Sequence, residues 1–87
     1  MKKKTLLIVD DDPVFNGLLR RQIESMGFLT LGAGSWAEAQ QRLSEIEPSA
    51  IILDFRLPDS DASRILSEIR NQYPVIVLTG YGSIPNA

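Results

Sequence analysis

Ala50-Ile51-Ile52-Leu53-Asp54-Phe55 decides how the chain is read. An unbroken apolar run ends in one carboxylate. Such a run is the pattern of a strand buried on both faces, as in a parallel sheet. Asp54 stands where that strand ends. Ligands of open α/β sheets bind outside the carboxyl ends of the strands, so Asp54 is expected at the mouth of a site. Two further stretches repeat the pattern. Upstream, Thr5-Leu6-Leu7-Ile8-Val9 runs into Asp10-Asp11-Asp12; downstream, Val75-Ile76-Val77-Leu78 runs into Thr79-Gly80. Three strands of one type deliver short polar residues at the same end.

The segments between them read as helices and one more strand. Asp12-Pro13 is a helix start, with Asp12 as N-cap and Pro13 at the first helical position. Val14, Phe15, Leu18, Leu19, Ile23 and Met26 recur at helical spacing and mark that helix's apolar side. Gly27 closes it. A second strand is expected over Phe28 to Leu31, followed by a turn at Gly32-Ala33-Gly34. Ser35-Trp36-Ala37-Glu38 fits a capping box, opening a helix that carries Trp36, Ala39, Leu43 and Ile46 and stops before Pro48. After the Asp54 strand come a loop, Arg56-Leu57-Pro58-Asp59-Ser60, and a helix from about Asp61 with Ile65, Leu66 and Ile69 on one face. Trp36 and the Phe15 and Phe28 rings are assigned to the core. The order βαβαβαβ implies a parallel sheet with right-handed crossovers.

Composition narrows the chemistry. Eighty-seven residues make one domain at most. The net charge of −2, with both signs interspersed, lacks the basic face of a nucleic-acid module. Without cysteine there is no thiolate nucleophile, disulfide or zinc-thiolate site. Without histidine there is no Ser-His-Asp triad and no phosphohistidine on this chain. No apolar run reaches membrane-spanning length, so no membrane association is expected and the expected compartment is the cytoplasm.

The strand ends gather Asp10, Asp11, Asp54 and Thr79. Taken singly, each aspartate is as compatible with a turn or cap as with a site; their conjunction points to a site. Two carboxylates about 4 Å apart repel by roughly 4 kcal/mol at an effective dielectric of 20. A hard divalent cation with oxygen ligands relieves that repulsion, and Mg2+ suits a site that also meets phosphate. An aspartate can itself be the nucleophile that takes up a phosphoryl group. The Thr79 hydroxyl could donate to that group, and Gly80 leaves it room.

These residues carry a family resemblance. Leu-Leu-Ile-Val-Asp10-Asp11-Asp12, Ile-Ile-Leu-Asp54-Phe-Arg-Leu-Pro58-Asp and Val-Ile-Val-Leu-Thr79-Gly-Tyr-Gly-Ser together resemble the receiver domain of two-component response regulators, with wording closest to receivers of transcriptional regulators. The resemblance implies a flavodoxin-like (CheY-like) doubly wound sheet, whose family order is 2-1-3-4-5. This chain would supply the first four strands, in the order 2-1-3-4. It implies that Asp54 accepts a phosphoryl group from the phosphohistidine of a sensor histidine kinase. Asp11 and Asp54 would ligate Mg2+ directly, with the backbone carbonyl of Arg56, and Asp10 through water. Thr79 would be the switch hydroxyl, while Arg56, Gly80 and Tyr81 would form the rim that tunes the acyl phosphate's lifetime. The chain would be a switch regulating a downstream output, not a turnover enzyme.

Two departures from the family stand out. There is no lysine after Lys4 to pair with the phosphoryl group, and the family's fourth helix, fifth strand and fifth helix have no counterpart in these residues. Parallel sheets are rarely stable with a bare face, and an open edge strand invites pairing. The chain is therefore expected either to be part of a longer protein or to form a homodimer over the uncovered sheet. That leaves an alternative reading, a non-phosphorylated association module. A phosphohydrolase would usually carry an aspartate two residues after its nucleophile, where this chain has Arg56.

Overall fold

The computed structural model describes residues 3–54, 57 and 62–78. Among the described residues four strands, β1 (Thr5–Val9), β2 (Leu29–Ala33), β3 (Ala50–Asp54) and β4 (Val75–Leu78), form one parallel sheet in the order β2-β1-β3-β4. Three helices connect them: α1 (Pro13–Ser25), α2 (Trp36–Glu45) and α3 (Ala62–Ile69). The expected order of elements and the doubly wound strand order are both observed.

Each strand is apolar on both sides because both sides are packed. Leu7, Val9, Ile51 and Leu53 point to one face, where Trp36 and Ala39 of α2 and Ile65 and Ile69 of α3 close over them. Ile8 and Ile52 point to the other, where Ile23 and Leu19 of α1 meet them with Phe28 alongside. The chain goes from β1 outward to β2, then returns past β1 to β3. This reversal puts α1 on one face, puts α2 and α3 on the other, and leaves a crevice between the ends of β1 and β3.

Local signals set the helix ends. Asp12 caps α1, its carboxylate accepting from the N–H groups of Val14 (3.0 Å) and Phe15 (3.2 Å), with Pro13 opening the first turn. Gly27 ends it in the left-handed region at φ 101°. Ser35 caps α2 by accepting from the Glu38 N–H at 3.1 Å. Glu38 reaches back to the N–H of Gly34 (2.8 Å), one residue earlier than the capping box implies. α2 ends at Glu45, ahead of Pro48.

Three expectations are corrected. β2 runs over Leu29–Ala33, not Phe28 to Leu31, so Gly32 and Ala33 belong to the strand and not to a turn. Gly32 is there for space. A Cβ on it would lie 2.8 Å from Asn16 Oδ1 and 3.0 Å from Arg20 Nε. The apolar side of α1 is only partly the buried side. Leu19 and Ile23 face the sheet, but Val14, Leu18 and Met26 are exposed, and Phe15 is 42% exposed instead of joining the core. The stripe of α1 that meets the sheet is narrow, with Ile23 and the polar Asn16 as its buried residues and Leu19 packed beside them.

Candidate functional site

The β1–β3 register pairs Val9 with Leu53, so the next residues, Asp10 and Asp54, end their strands level with each other. Asp11 follows at the start of the turn into α1. Ligand atoms of Asp10, Asp11 and Asp54 all lie within 4.8 Å of one another. Their exposure is graded: Asp10 is buried, Asp54 half-buried and Asp11 exposed. The three are thus assembled as expected from the strand ends. Thr79, Gly80, Tyr81 and Arg56 lie outside the described residues, as does most of the loop after β3.

Asp10 is held on two sides. Its N–H donates to the Ala33 carbonyl at 2.9 Å, and its Oδ1 accepts from the Asp12 N–H at 2.9 Å. Burial pushes its carboxyl above the ordinary carboxylate value. The Asp12 hydrogen bond opposes that shift, while the charges of Asp54, Asp11 and Asp12 add to it. A group only 7% exposed, beside two other carboxylates, is poorly solvated when ionised.

Behind the carboxylates sits a residue the hydrophobic pattern did not flag. Asn16 is 6% exposed, and its Nδ2 donates toward the carbonyls of Asp10 (3.1 Å), Ile8 (3.3 Å) and Ala33 (3.3 Å). Its Oδ1 accepts from Arg20 Nε at 2.9 Å. The signal available in the sequence was an amide in the stripe of α1 that should be apolar, facing the end of a strand.

On the β2 side, the cluster opens onto a cleft of about 460 Å3 lined by Asp10, Asp11, Asn16, Arg20, Glu38 and Arg42, among others. Asp54 is not one of its walls. Arg42 is tied down there, its Nε on the Gly32 carbonyl at 3.3 Å and its Nη2 on Glu38 at 3.4 Å.

The donor set is all oxygen, strongly anionic and graded from buried to exposed, which fits a hard cation that keeps part of its water shell. Asp10, Asp11 and Asp54 are the residues that could hold it. No helix among the described residues is long and apolar enough to cross a membrane.

The comparisons with known proteins agree with this geometry. The family model for the response regulator receiver domain matches residues 6–87. The chain is 37% identical over 89 residues to the transcriptional regulatory protein GlrR of Escherichia coli K12, covering 99% of this chain and 20% of that protein. It superposes on a putative response regulator from Chloroflexus aurantiacus with a TM-score of 0.87 and 33% identity, covering 95% of this chain and 72% of the other. It also superposes on the response regulator TrrA of Thermotoga maritima, solved in complex with Mg2+-BeF, with a TM-score of 0.82 and 28% identity, covering 91% and 71%. The chain spans less than half the length of curated relatives that it matches, 20% of GlrR and 45–47% of two others. With the sheet order, the acidic strand ends and the family model in agreement, the chain belongs to the response-regulator receiver domains of two-component systems.

Proposed function

We propose that this chain is a phosphoacceptor switch. Asp54 takes a phosphoryl group from a sensor histidine kinase, in a Mg2+-dependent transfer, and the modified domain regulates a downstream output, which its likeness to the transcriptional regulatory protein GlrR points to as transcription. The observation that supports this most is the meeting of three carboxylates within 4.8 Å at the ends of β1 and β3 in a chain of this family.

The residues divide the work by position. Asp54 ends a central strand, half-buried, and presents its carboxylate to the crevice as the nucleophile. Asp10 and Asp11 complete the anionic pocket, and a cation held there would neutralise charge on the incoming phosphoryl oxygens and orient them. Asp10, with its backbone and one carboxylate oxygen already engaged, is the fixed member; exposed Asp11 is the adaptable one. The roles proposed for the Arg56 carbonyl as a ligand, for Thr79 as the switch hydroxyl, and for Arg56, Gly80 and Tyr81 at the rim come from the family motif.

Beryllium fluoride tests this reading, because its fluoroberyllate stands in for a phosphoryl group on a carboxylate. With Mg2+ present, fluorine NMR is expected to show protein-bound resonances. They should vanish on chelation of Mg2+ and be missing from Asp54→Ala. A spectrum of free fluoroberyllate alone, with folded protein, would contradict the proposal.

A second reading, association through the sheet, draws on Ile76. It pairs in register with Ile52 on the α1 face, yet is 55% exposed on the strand at the end of the described sheet.

A further inference from the structure

We propose that Asn16 is the positioning residue of the acidic site: its carboxamide holds the Asp10–Asp11 peptide, and through it the spacing of the carboxylates. The inference rests on the cation-binding reading above and adds to it a residue that carries none of the site's charge.

The argument starts from hydrogen-bond capacity. A carboxamide has two N–H groups and one acceptor oxygen. The Asn16 nitrogen faces three carbonyls at 3.1–3.3 Å, and its oxygen faces the Arg20 Nε–H at 2.9 Å. The opposite orientation would set oxygen against three carbonyls and nitrogen against a donor, so the arrangement has one sense. The three carbonyls belong to the last turn of two strands: Ile8 and Asp10 from the β1 side, Ala33 from β2. The Ala33 carbonyl also accepts from the Asp10 N–H at 2.9 Å. Asn16 therefore joins β1, β2 and α1 at one point.

The contact with the Asp10 carbonyl reaches the site. That carbonyl lies in the peptide plane between Asp10 and Asp11. Fixing the plane constrains the backbone rotation that follows Asp10 and the one that precedes Asp11. Those two rotations set how far apart the two carboxylates stand. The Asp12 N–H, bonded to Asp10 Oδ1, then fixes the Asp10 carboxylate itself. Gly32 makes the arrangement possible, since a Cβ there would sit 2.8 Å from Asn16 Oδ1.

The test uses two readouts on the whole chain: Mg2+ affinity by titration calorimetry, and amide hydrogen exchange at Asp10 and Asp12. Asn16→Ala removes the carboxamide. Gly32→Ala keeps it but pushes it aside, and serves if Asn16→Ala does not fold. Ile65→Val, in the core on the opposite face, controls for lost stability. The expected result is about tenfold weaker Mg2+ binding in both site variants, the size typical for groups that orient metal ligands. Exchange at Asp10 and Asp12 should also accelerate more than at Ile51, whose N–H bonds the Pro74 carbonyl. Ile65→Val should leave the affinity and the exchange ratio unchanged. Wild-type affinity in both site variants, or equal losses in Ile65→Val, would overturn the proposal. Were the wild type to bind no Mg2+, the cation reading would fall separately. Exchange would then decide: selective acceleration at Asp10 and Asp12 supports the positioning role, and uniform acceleration overturns it.

Discussion

Asp10 carries the main electrostatic cost of the site. Its folded-state pKa is raised above its ordinary value of 3.8, first by burial and then by its acidic neighbours. Between those two values the folded chain binds more protons than the unfolded chain, so stability falls as pH rises through the window. Above it, the cost of an ionised, buried Asp10 stands in full. Asn at this position keeps the acceptor for the Asp12 N–H but carries no charge. In chelator, Asp10→Asn is therefore expected to melt higher than wild type at pH 7, and the gap should close as pH is lowered towards 4. Thermal melts across that range check this, and a gap independent of pH would contradict it.

The elements are positioned by end signals that can be checked one at a time. Asp12 satisfies two N–H groups at the start of α1, and α1 carries Asn16 to the strand ends. Asp12→Ala should cost about 1 kcal/mol. That corresponds to about 4–8 °C in Tm for a domain of this size, measurable by calorimetry. An unchanged Tm would show that the cap contributes nothing. Much of this level was legible in the residues. β1 and β4 have the expected limits, because continuous apolar runs bounded by polar residues leave little choice of register. The site's carboxylates followed from the same runs. Gly32 and Asn16 were not legible. Glycine signals both turns and close approach, and only the structure shows Asn16 and Arg20 lying over it. Phe15 was misassigned to the core because periodicity shows that a helix has an apolar stripe, not how much of it a neighbour covers, and Val14 and Leu18 of the same stripe are exposed with it.

For the whole molecule, the two sheet faces differ. The face under α2 and α3 holds the larger buried cluster, while the α1 face buries Ile8, Ile23 and Ile52 and leaves Ile76 largely exposed among the described residues. If that face associates, Ile76→Lys should shift sedimentation velocity profiles towards the monomer at high concentration; identical profiles would remove support for association through β4. The central claim concerns the other end of the sheet, where Asp54 meets Asp10 and Asp11. Its most direct test is intact mass after incubation with a small-molecule phosphodonor and Mg2+, for wild type and Asp54→Ala. The account predicts a gain of one phosphoryl group in the wild type and none in the variant. A folded wild type that gains nothing, or a variant that gains as much, would contradict it.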